Sequence, residues 1–175
     1  MKIYKLFPAL LVGMLTLKAA QAEDNVHFSG ALVTEPCTLP VADTDIHVDF
    51  GTVIVKYLYQ YQRTKSQPFY IHLEDCDPTL MKSVSVTFEG TADSELKDML
   101  ALDPSSSAKG VALGLELEDG TALAINKQSS LQDLMPGQNT LSFKAYLQAT
   151  PSMISTKQIT VGDFESTARF ILNYQ

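Results

Sequence analysis

The sequence predicts an all-β protein built as a sandwich of two sheets, and two observations lead to this expectation. Hydrophobic residues recur with a period of two in eight or nine short segments, which is the periodicity of strands with one buried face. Glycine, proline, aspartate and serine residues separate these segments. Short strands with turn signals between them are typical of a sandwich in which each sheet buries one face.

The first 22 residues predict a secretory signal peptide. Lys2 and Lys5 lie beside the apolar run LFPALLVGMLTL, and Ala20 and Ala22 place small residues at a cleavage position. The run has 12 residues, fewer than the roughly 20 that a membrane-spanning helix needs. We therefore expect cleavage after Ala22, export of residues 23–175, and no direct insertion into a membrane.

The remaining chain predicts strands almost throughout, in a single domain. The predicted strands are 26–32, 46–53, 68–76, 83–90, 110–117, 121–125, 139–149 and 166–175. An Asp-Gly pair at 119–120 predicts a tight hairpin turn. Residues 93–102 predict a short helix with Asp93 or Ser94 as its N-cap, and residues 103–110 and 126–139 predict loops.

The charge balance argues against two kinds of partner. The first 22 residues contain three lysines and no acidic residue, so 10 basic and 20 acidic side chains remain, a formal charge of −10. Such a surface repels phosphate backbones and anionic lipids, so we expect neither a nucleic acid nor a membrane as partner. The charge is explained more simply as keeping an exported protein soluble.

The chain contains two cysteines, Cys37 and Cys76. In an exported protein an even number of cysteines predicts a disulfide. Their separation fits neither a zinc site nor a CxxC redox motif, so the expected bridge is structural.

No motif predicts catalysis. The three histidines, His27, His47 and His72, lie on the polar side of predicted strands and do not converge, so solvent exposure explains them better than a metal site. The acidic run at 73–77 fits an exposed turn better than a calcium loop. Nucleophile and phosphate-loop motifs are absent from the sequence. We expect no enzyme activity, no metal and no cofactor.

Both ends of the expected mature chain are strand-like. The opening segment places Val26, Phe28, Gly30 and Leu32 on one side, with a glycine in the apolar face. The final segment alternates up to Tyr174, one residue before the end, and an unpaired edge there would be a template for another chain. From periodicity alone, the opening segment is best interpreted as the first strand of the domain's own sheet.

The sequence as a whole resembles the chaperone–usher pilins of type 1 and P pili. The matching segments follow the family order over the whole mature chain: VHFSGALVTEPCTL, HVDFGTV, FYIHLEDCD, VSVTFEGTAD and GDFESTARFILNYQ. The most specific features are the cysteine pair and the C-terminal pattern. In that pattern Gly162 is fourteenth from the end and Tyr174 is penultimate.

The resemblance implies an incomplete immunoglobulin-like sandwich that lacks its C-terminal strand. A donor strand from a periplasmic chaperone, and then from a neighbouring subunit, would complete it, a form of strand addition. The implied organisation is a signal peptide (1–22), a donor-strand extension (23–34) and a pilin domain (35–175). The implied partners are the chaperone, an outer-membrane usher and other pilins, and the implied location is a surface pilus reached through the periplasm.

The resemblance also assigns roles to residues. Val26, Phe28, Gly30 and Leu32 would be the donor side chains, with Gly30 at a shallow pocket where a side chain would clash. The chaperone- and groove-binding residues would be Gly162, Ala168, Phe170, Leu172, Tyr174 and Gln175. The carboxylate of Gln175 would be bound in a basic cleft of the chaperone.

Alternative functions remain open at this point. Only 14 residues lie between the expected cleavage site and Cys37, which favours a minor adaptor or tip subunit over a rod pilin. A self-contained secreted sandwich that binds a ligand is the alternative from another class. A secreted hydrolase is a weaker third hypothesis.

Overall fold

The described chain is an all-β sandwich, as the sequence predicts. The computed structural model describes residues 28–30, 32 and 34–175, and Thr34–Gln175 form one compact unit. The strands are β1 (Gln67–Cys76), β2 (Ser83–Glu89), β3 (Val111–Leu117), β4 (Ala122–Leu123), β5 (Gln132–Asp133), β6 (Gly137–Ala149) and β7 (Arg169–Tyr174). One antiparallel sheet has the order β1-β6-β3-β4, and the other has the order β5-β2-β7.

The main core lies between the two sheets and comes from the residues that alternate inward. Ile71 and Leu73 of β1, Val84 of β2 and Leu141 of β6 are almost completely buried. Full burial of one such side chain stabilises the fold by about 1.5–3 kcal/mol. The rings of Phe69, Phe88 and Phe143 meet in this core with centroids 5.0–5.8 Å apart.

Residues 46–53 are not a strand, contrary to the sequence-based prediction. Their alternation is real, because Ile46, Val48 and Phe50 are half-buried while His47 and Asp49 are exposed. A strand also needs a hydrogen-bonded neighbour, and among the described residues none forms a main-chain ladder with this segment. The periodicity identified the side chains that point inward but could not identify whether a partner strand was present.

The predicted helix at 93–102 is also wrong. The Asp93 side chain does accept the expected N-cap-like bonds, from the N–H groups of Glu95 and Leu96 (2.9 Å each). The chain then leaves helical geometry because Leu100 is buried and exchanges main-chain hydrogen bonds with Leu113 of β3 (2.8 and 2.9 Å). Burial of Leu100 against the sheet outweighs the helical propensity of this short segment, because propensity is weak compared with tertiary packing.

The described residues include two short α-helices that the sequence analysis did not predict, α1 (Val55–Tyr61) and α2 (Pro151–Thr156), and a 3₁₀ turn at Val41–Thr44. In α1, valine and three tyrosines at alternating positions imitate a strand, and no side chain caps the N-terminus. Only Leu58 of α1 is buried. Pro151 stands in the first turn of α2, a position that proline favours.

Two smaller predictions also differ from the structure. The predicted strand at 121–125 is reduced to the two residues of β4, and the predicted loop at 126–139 contains β5 and the start of β6.

The outer face of the four-stranded sheet, which faces away from the main core, is also partly covered. There Tyr146 packs against Gly114, where a Cβ atom would lie 2.4 Å from the tyrosine ring.

Candidate functional site: a groove beside the last strand

Strand β7 is an edge strand, and alternate side chains along it pack against the main core. Among the described residues it pairs with β2 alone, from Arg169–Glu89 to Tyr174–Val84. Phe170, Leu172 and Tyr174 are half-buried and pack against the main core. The last strand is therefore anchored on one side and open on the other.

The hydrogen bonds of β7 show which main-chain groups face the open side. Ser83 and Gln175 exchange both main-chain bonds, each of 2.9 Å. In an antiparallel pair such residues alternate with pairs that exchange no bonds. The N–H and C=O groups of Phe170, Leu172 and Tyr174 therefore point away from β2, toward the free edge.

Residues 45–53 lie across from this edge and are also unpaired along the main chain. Within the described part of the chain, their main-chain groups form no hydrogen bonds with other main-chain groups. The Asp49 carboxylate accepts a 2.7 Å bond from the N–H of Gly51, whose φ of +56° is readily adopted by glycine.

A groove runs between these two segments and reaches both buried clusters. Its larger cavity, about 790 Å³, is lined on one side by Ile46, Val48 and Phe50 and on the other by Ala168 and Phe170. Core residues form its floor: Phe69, Phe88, Leu113 and Leu115. Part of the apolar core is therefore open to solvent along the groove between residues 45–53 and β7.

A smaller cavity of about 370 Å³ continues the groove beside Gly162 and Phe164. Val48, Phe50 and Phe164 line both cavities. The floor of this part is the second buried cluster, in which Leu58 of α1 packs with Val111 and Leu147.

Gly162 allows two segments of the groove wall to lie unusually close together. Its φ is +151°, and a Cβ atom would stand 2.3 Å from the Ser107 hydroxyl oxygen. The main-chain carbonyl of the neighbouring Asp163 accepts hydrogen bonds from the N–H groups of Ser107 and Ala108 (2.9 and 3.0 Å). The N–H of Asp163 in turn donates to the Ser107 hydroxyl (2.9 Å).

A partly buried ion pair holds the loop that follows α1 against the four-stranded sheet. Arg63 donates to the Glu116 carboxylate at 2.8 Å, and the Ser66 hydroxyl donates to it at 2.5 Å. The Arg63 guanidinium also stacks 3.5 Å over the Tyr146 ring. Burial alone would raise the pKa of the Glu116 carboxyl, but the Ser66 and Arg63 hydrogen bonds outweigh it and the net shift is downward.

The segment that leads into the groove wall at residues 45–53 begins at the disulfide. Cys37 and Cys76 are joined with their Cα atoms 4.1 Å apart. Thr38 and Glu74 exchange main-chain bonds of 2.7 and 2.8 Å, which ties the start of the wall to β1. Asp43 is buried and accepts bonds from the N–H and the ring of His72.

The described residues of the opening segment are exposed. Phe28 and Leu32 are exposed to 94% and 104%, and an added Cβ atom at Gly30 would meet nothing within 4 Å. None of the described residues before Cys37 lies in a strand. Val26 and the predicted signal peptide (1–22) lie outside the described residues.

The structure gathers some of the predicted groove residues and separates others. Gly162, Ala168 and Phe170 line the cavities. Leu172 and Tyr174 pack against the main core farther along β7. The main-chain oxygen of Gln175 is fixed by the N–H groups of Lys82 (2.7 Å) and Ser83.

Several lining residues were missed by the sequence analysis. Phe164 lines both cavities and Leu58 forms part of the floor. The inward alternation of Val48 and Phe50 was recognised but was interpreted as part of a strand. The signal that could have indicated the groove was the strand-like pattern of residues 46–53, for which no pairing partner was predicted.

The other titratable groups give little sign of chemistry. His47 and His72 have side-chain exposures of 87% and 52%, and His27 lies outside the described residues. Within the described ranges, no cluster of potential metal ligands occurs. The described helices include none that is long and apolar enough to cross a membrane.

Burial raises the pKa of the Tyr174 phenol above its ordinary value of 10.0, and the Glu35 carboxylate adds to this shift. The uncharged phenol is the form that its half-buried position favours.

Comparison with solved structures places the fold among pilins of the immunoglobulin-like type. The P pilus rod subunit PapA superposes with a TM-score of 0.70 over 81% of this chain and all of that chain, at 23% identity, a likeness of fold. The sequence model of the fimbrial protein family matches residues 26–175. The chain therefore belongs to the fimbrial protein family.

Two relatives extend this likeness to sequence. The fimbrial-like protein YfcP of Escherichia coli K12 is 35% identical and is covered to 94%, with 98% of this chain aligned. The fimbrial adapter PapK of Escherichia coli is 32% identical over 95% of this chain and 96% of its own length. This chain is thus a structural subunit of a chaperone–usher pilus, not an enzyme. It is exported, becomes part of a surface pilus and polymerises with other pilin subunits.

Proposed function

We propose that the subunit polymerises by donor-strand exchange. Its groove accepts a strand from another chain, and its own residues 23–34 enter the groove of a neighbouring subunit. The observation that carries this proposal is the open groove along β7, which has unpaired main-chain groups on both sides and apolar core at its floor. The pilin domain is residues 35–175, which lack the last strand of the sandwich.

The free edge of β7 suits an incoming strand. Every second residue there presents a donor and an acceptor, so an added strand gains main-chain hydrogen bonds whatever its sequence. Its alternate side chains would enter the cavities between Phe170 and Val48, and these pockets would select the register.

The opening segment has the properties of such a strand. Phe28 and Leu32 are exposed in this chain, and burial in a neighbour's groove would stabilise the complex by about 1.5–3 kcal/mol for each. Gly30 would meet a shallow part of the groove, and Val26 would be the preceding donor side chain.

A periplasmic chaperone would fill the groove before assembly. An exposed apolar groove beside an unpaired edge invites aggregation, so a temporary strand is needed between export and polymerisation. In this proposal Gly162, Ala168, Phe170, Leu172 and Tyr174 form the surface that the chaperone recognises. Gln175 binds a basic cleft of the chaperone, and an outer-membrane usher receives the complex.

Within the pilus, we propose the role of a minor adaptor. The expected extension is short, with 14 residues before Cys37, and the relative PapK is an adapter. Counting this subunit in purified fibres by quantitative mass spectrometry tests the role. One or a few copies per fibre would support an adaptor, and a majority would support a rod pilin.

The capacity of the groove to take up a donor strand is tested with a synthetic peptide of residues 23–34, which stands in for the extension of whichever pilin fills the groove in the fibre. The chain produced with the peptide should stay soluble and bind it, whereas the chain produced without peptide or chaperone should aggregate. A matched peptide with leucine in place of Gly30 provides the control and should bind much more weakly. A chain that folds as a stable soluble monomer without any added strand would contradict the proposal.

A further inference from the structure

A cluster of exposed hydrophobic residues lies near the point where the extension leaves the sandwich. Leu80, Met81, Leu131 and Met135, here called the methionine patch, have exposures of 48%, 38%, 52% and 65%. Exposed apolar clusters on soluble proteins often mark interaction sites. Methionine is also enriched at interfaces, because its flexible side chain adapts to irregular partner surfaces.

Strand pairing brings the two methionines of this patch close together. Ser83 pairs with Asp133, and the N–H of Leu134 donates to the carbonyl of Lys82 at 2.8 Å. Continued by two residues beyond the Ser83–Asp133 pair, the same register would place Met81 opposite Met135. Directly opposed residues of antiparallel strands point to the same face, whereas Leu134 points to the opposite face and is buried.

The patch adjoins the origin of the extension. The N–H of Asp77 donates to the carbonyl of Pro36 at 2.7 Å, and the N–H of Leu80 donates to the carbonyl of Asp77 at 3.1 Å. The turn that carries Leu80 and Met81 therefore lies beside residue 36, where the chain enters the sandwich.

The tether between donor strand and sandwich is short. Five residue steps separate Leu32 from Cys37, and even a fully extended chain spans at most about 18 Å over this distance. If Leu32 is held in a neighbour's groove, the end of that groove must lie within about 18 Å of Cys37, near the end of the sandwich that carries the methionine patch.

We propose that the methionine patch is a second contact with the pilin subunit whose groove receives the extension. This inference rests on the proposed donor role, because the short tether is what places that subunit at the patch. The contact restricts how the two subunits rotate about the short tether and slows release of the donor strand.

Photo-crosslinking in assembled fibres tests the contact directly. A photoreactive phenylalanine analogue at position 135 should form an adduct that peptide mapping assigns to another pilin subunit. The same analogue at Tyr70, which is 47% exposed in the middle of β1, is the matched control and should form much less. Absence of a pilin adduct at position 135, or an adduct with the chaperone or usher alone, would overturn the inference.

A double variant tests the energetic role. Met81→Ser with Met135→Ser should release subunits from fibres in denaturant at least about tenfold faster, as expected when interface anchors are truncated. Tyr70→Ser should leave the rate unchanged, and unchanged soluble amounts of the chaperone-bound double variant would exclude a folding defect. An unaltered release rate would overturn the inference. Loss of incorporation on deletion of residues 23–33 tests the donor role separately, so the two proposals can fail independently.

Discussion

Gly162 lies so close to Ser107 that a Cβ atom on the glycine would stand 2.3 Å from the serine hydroxyl oxygen and 3.0 Å from the main-chain nitrogen of Ala108. This approach holds residues 159–165 beside residues 103–109 and so shapes one wall of the groove. A glycine in a C-terminal family pattern therefore also has a structural reason within this fold.

Replacement of Gly162 should damage the groove wall. Gly162→Ala should lower the free energy of unfolding by about 1–3 kcal/mol, because both backbone strain and the clash with Ser107 oppose the alanine. Denaturant unfolding of the peptide-bound chain measures this change. Gly120→Ala is a suitable control, since Gly120 has a φ of +88° but open space around it. Equal effects for the two variants would show that the close approach at Gly162 is unimportant.

Replacement of Gly30 should separate donor activity from folding. Gly30→Leu should leave the thermal stability of the peptide-bound subunit unchanged, because among the described residues no atom beyond the chain neighbours lies within 4 Å of the Cβ position. It should prevent insertion into a neighbour's groove and so stop incorporation into fibres. A variant that enters fibres at the normal rate would show that the assigned register of the donor strand is mistaken.

Alkaline pH should weaken the packing of Tyr174. The pKa of this phenol is raised in the folded chain, so stability is fully present below pH 10.0 and declines as pH rises through the folded value. Tyr174→Phe keeps most of the packing without the titrating group. Denaturant unfolding of both peptide-bound proteins above and below about pH 10 should show a smaller alkaline loss for the phenylalanine variant. Identical losses would contradict this expectation.

Acid should weaken the attachment of the loop after α1. The pKa of Glu116 is lowered in the folded chain, so its stabilising effect is present above its ordinary value of 4.5 and is lost as pH falls through the folded value. At neutral pH, Glu116→Gln should cost about 1.5–3 kcal/mol, the usual contribution of hydrogen bonds to a charged group. The variant should also show a smaller loss of stability in acid, which unfolding curves from about pH 7 to pH 3 would measure. A parallel pH dependence would exclude Glu116 as the responsible group.

Much of the sandwich could be predicted from the sequence because its strands bury one face. The alternation of Ile71 with Leu73 and of Val84 with Val86 identified β1 and β2 and their inward sides. The same rule failed at 46–53, because periodicity reports which side chains turn inward and not whether a neighbouring strand exists. Periodicity also gave no prediction of α1, where tyrosines at alternating positions belong to a helix.

The groove was less accessible to sequence reasoning than the strands. Phe170 and Gly162 could be named from the C-terminal pattern, but the contribution of Phe164 and Leu58 depends on contacts between segments far apart in the chain. The two short helices and the turns around them set those contacts. Local propensity does not encode such long-range placement.

The central claim is that another chain completes the sheet beside β7, and amide hydrogen exchange in assembled fibres tests it most directly. The N–H groups of Ile171 and Asn173 face β2 and should exchange slowly in any folded state. Those of Phe170, Leu172 and Tyr174 face the free edge, and in fibres they should exchange as slowly as their neighbours because a donor strand accepts their hydrogen bonds. Rapid exchange at Phe170, Leu172 and Tyr174 in intact fibres would contradict donor-strand exchange.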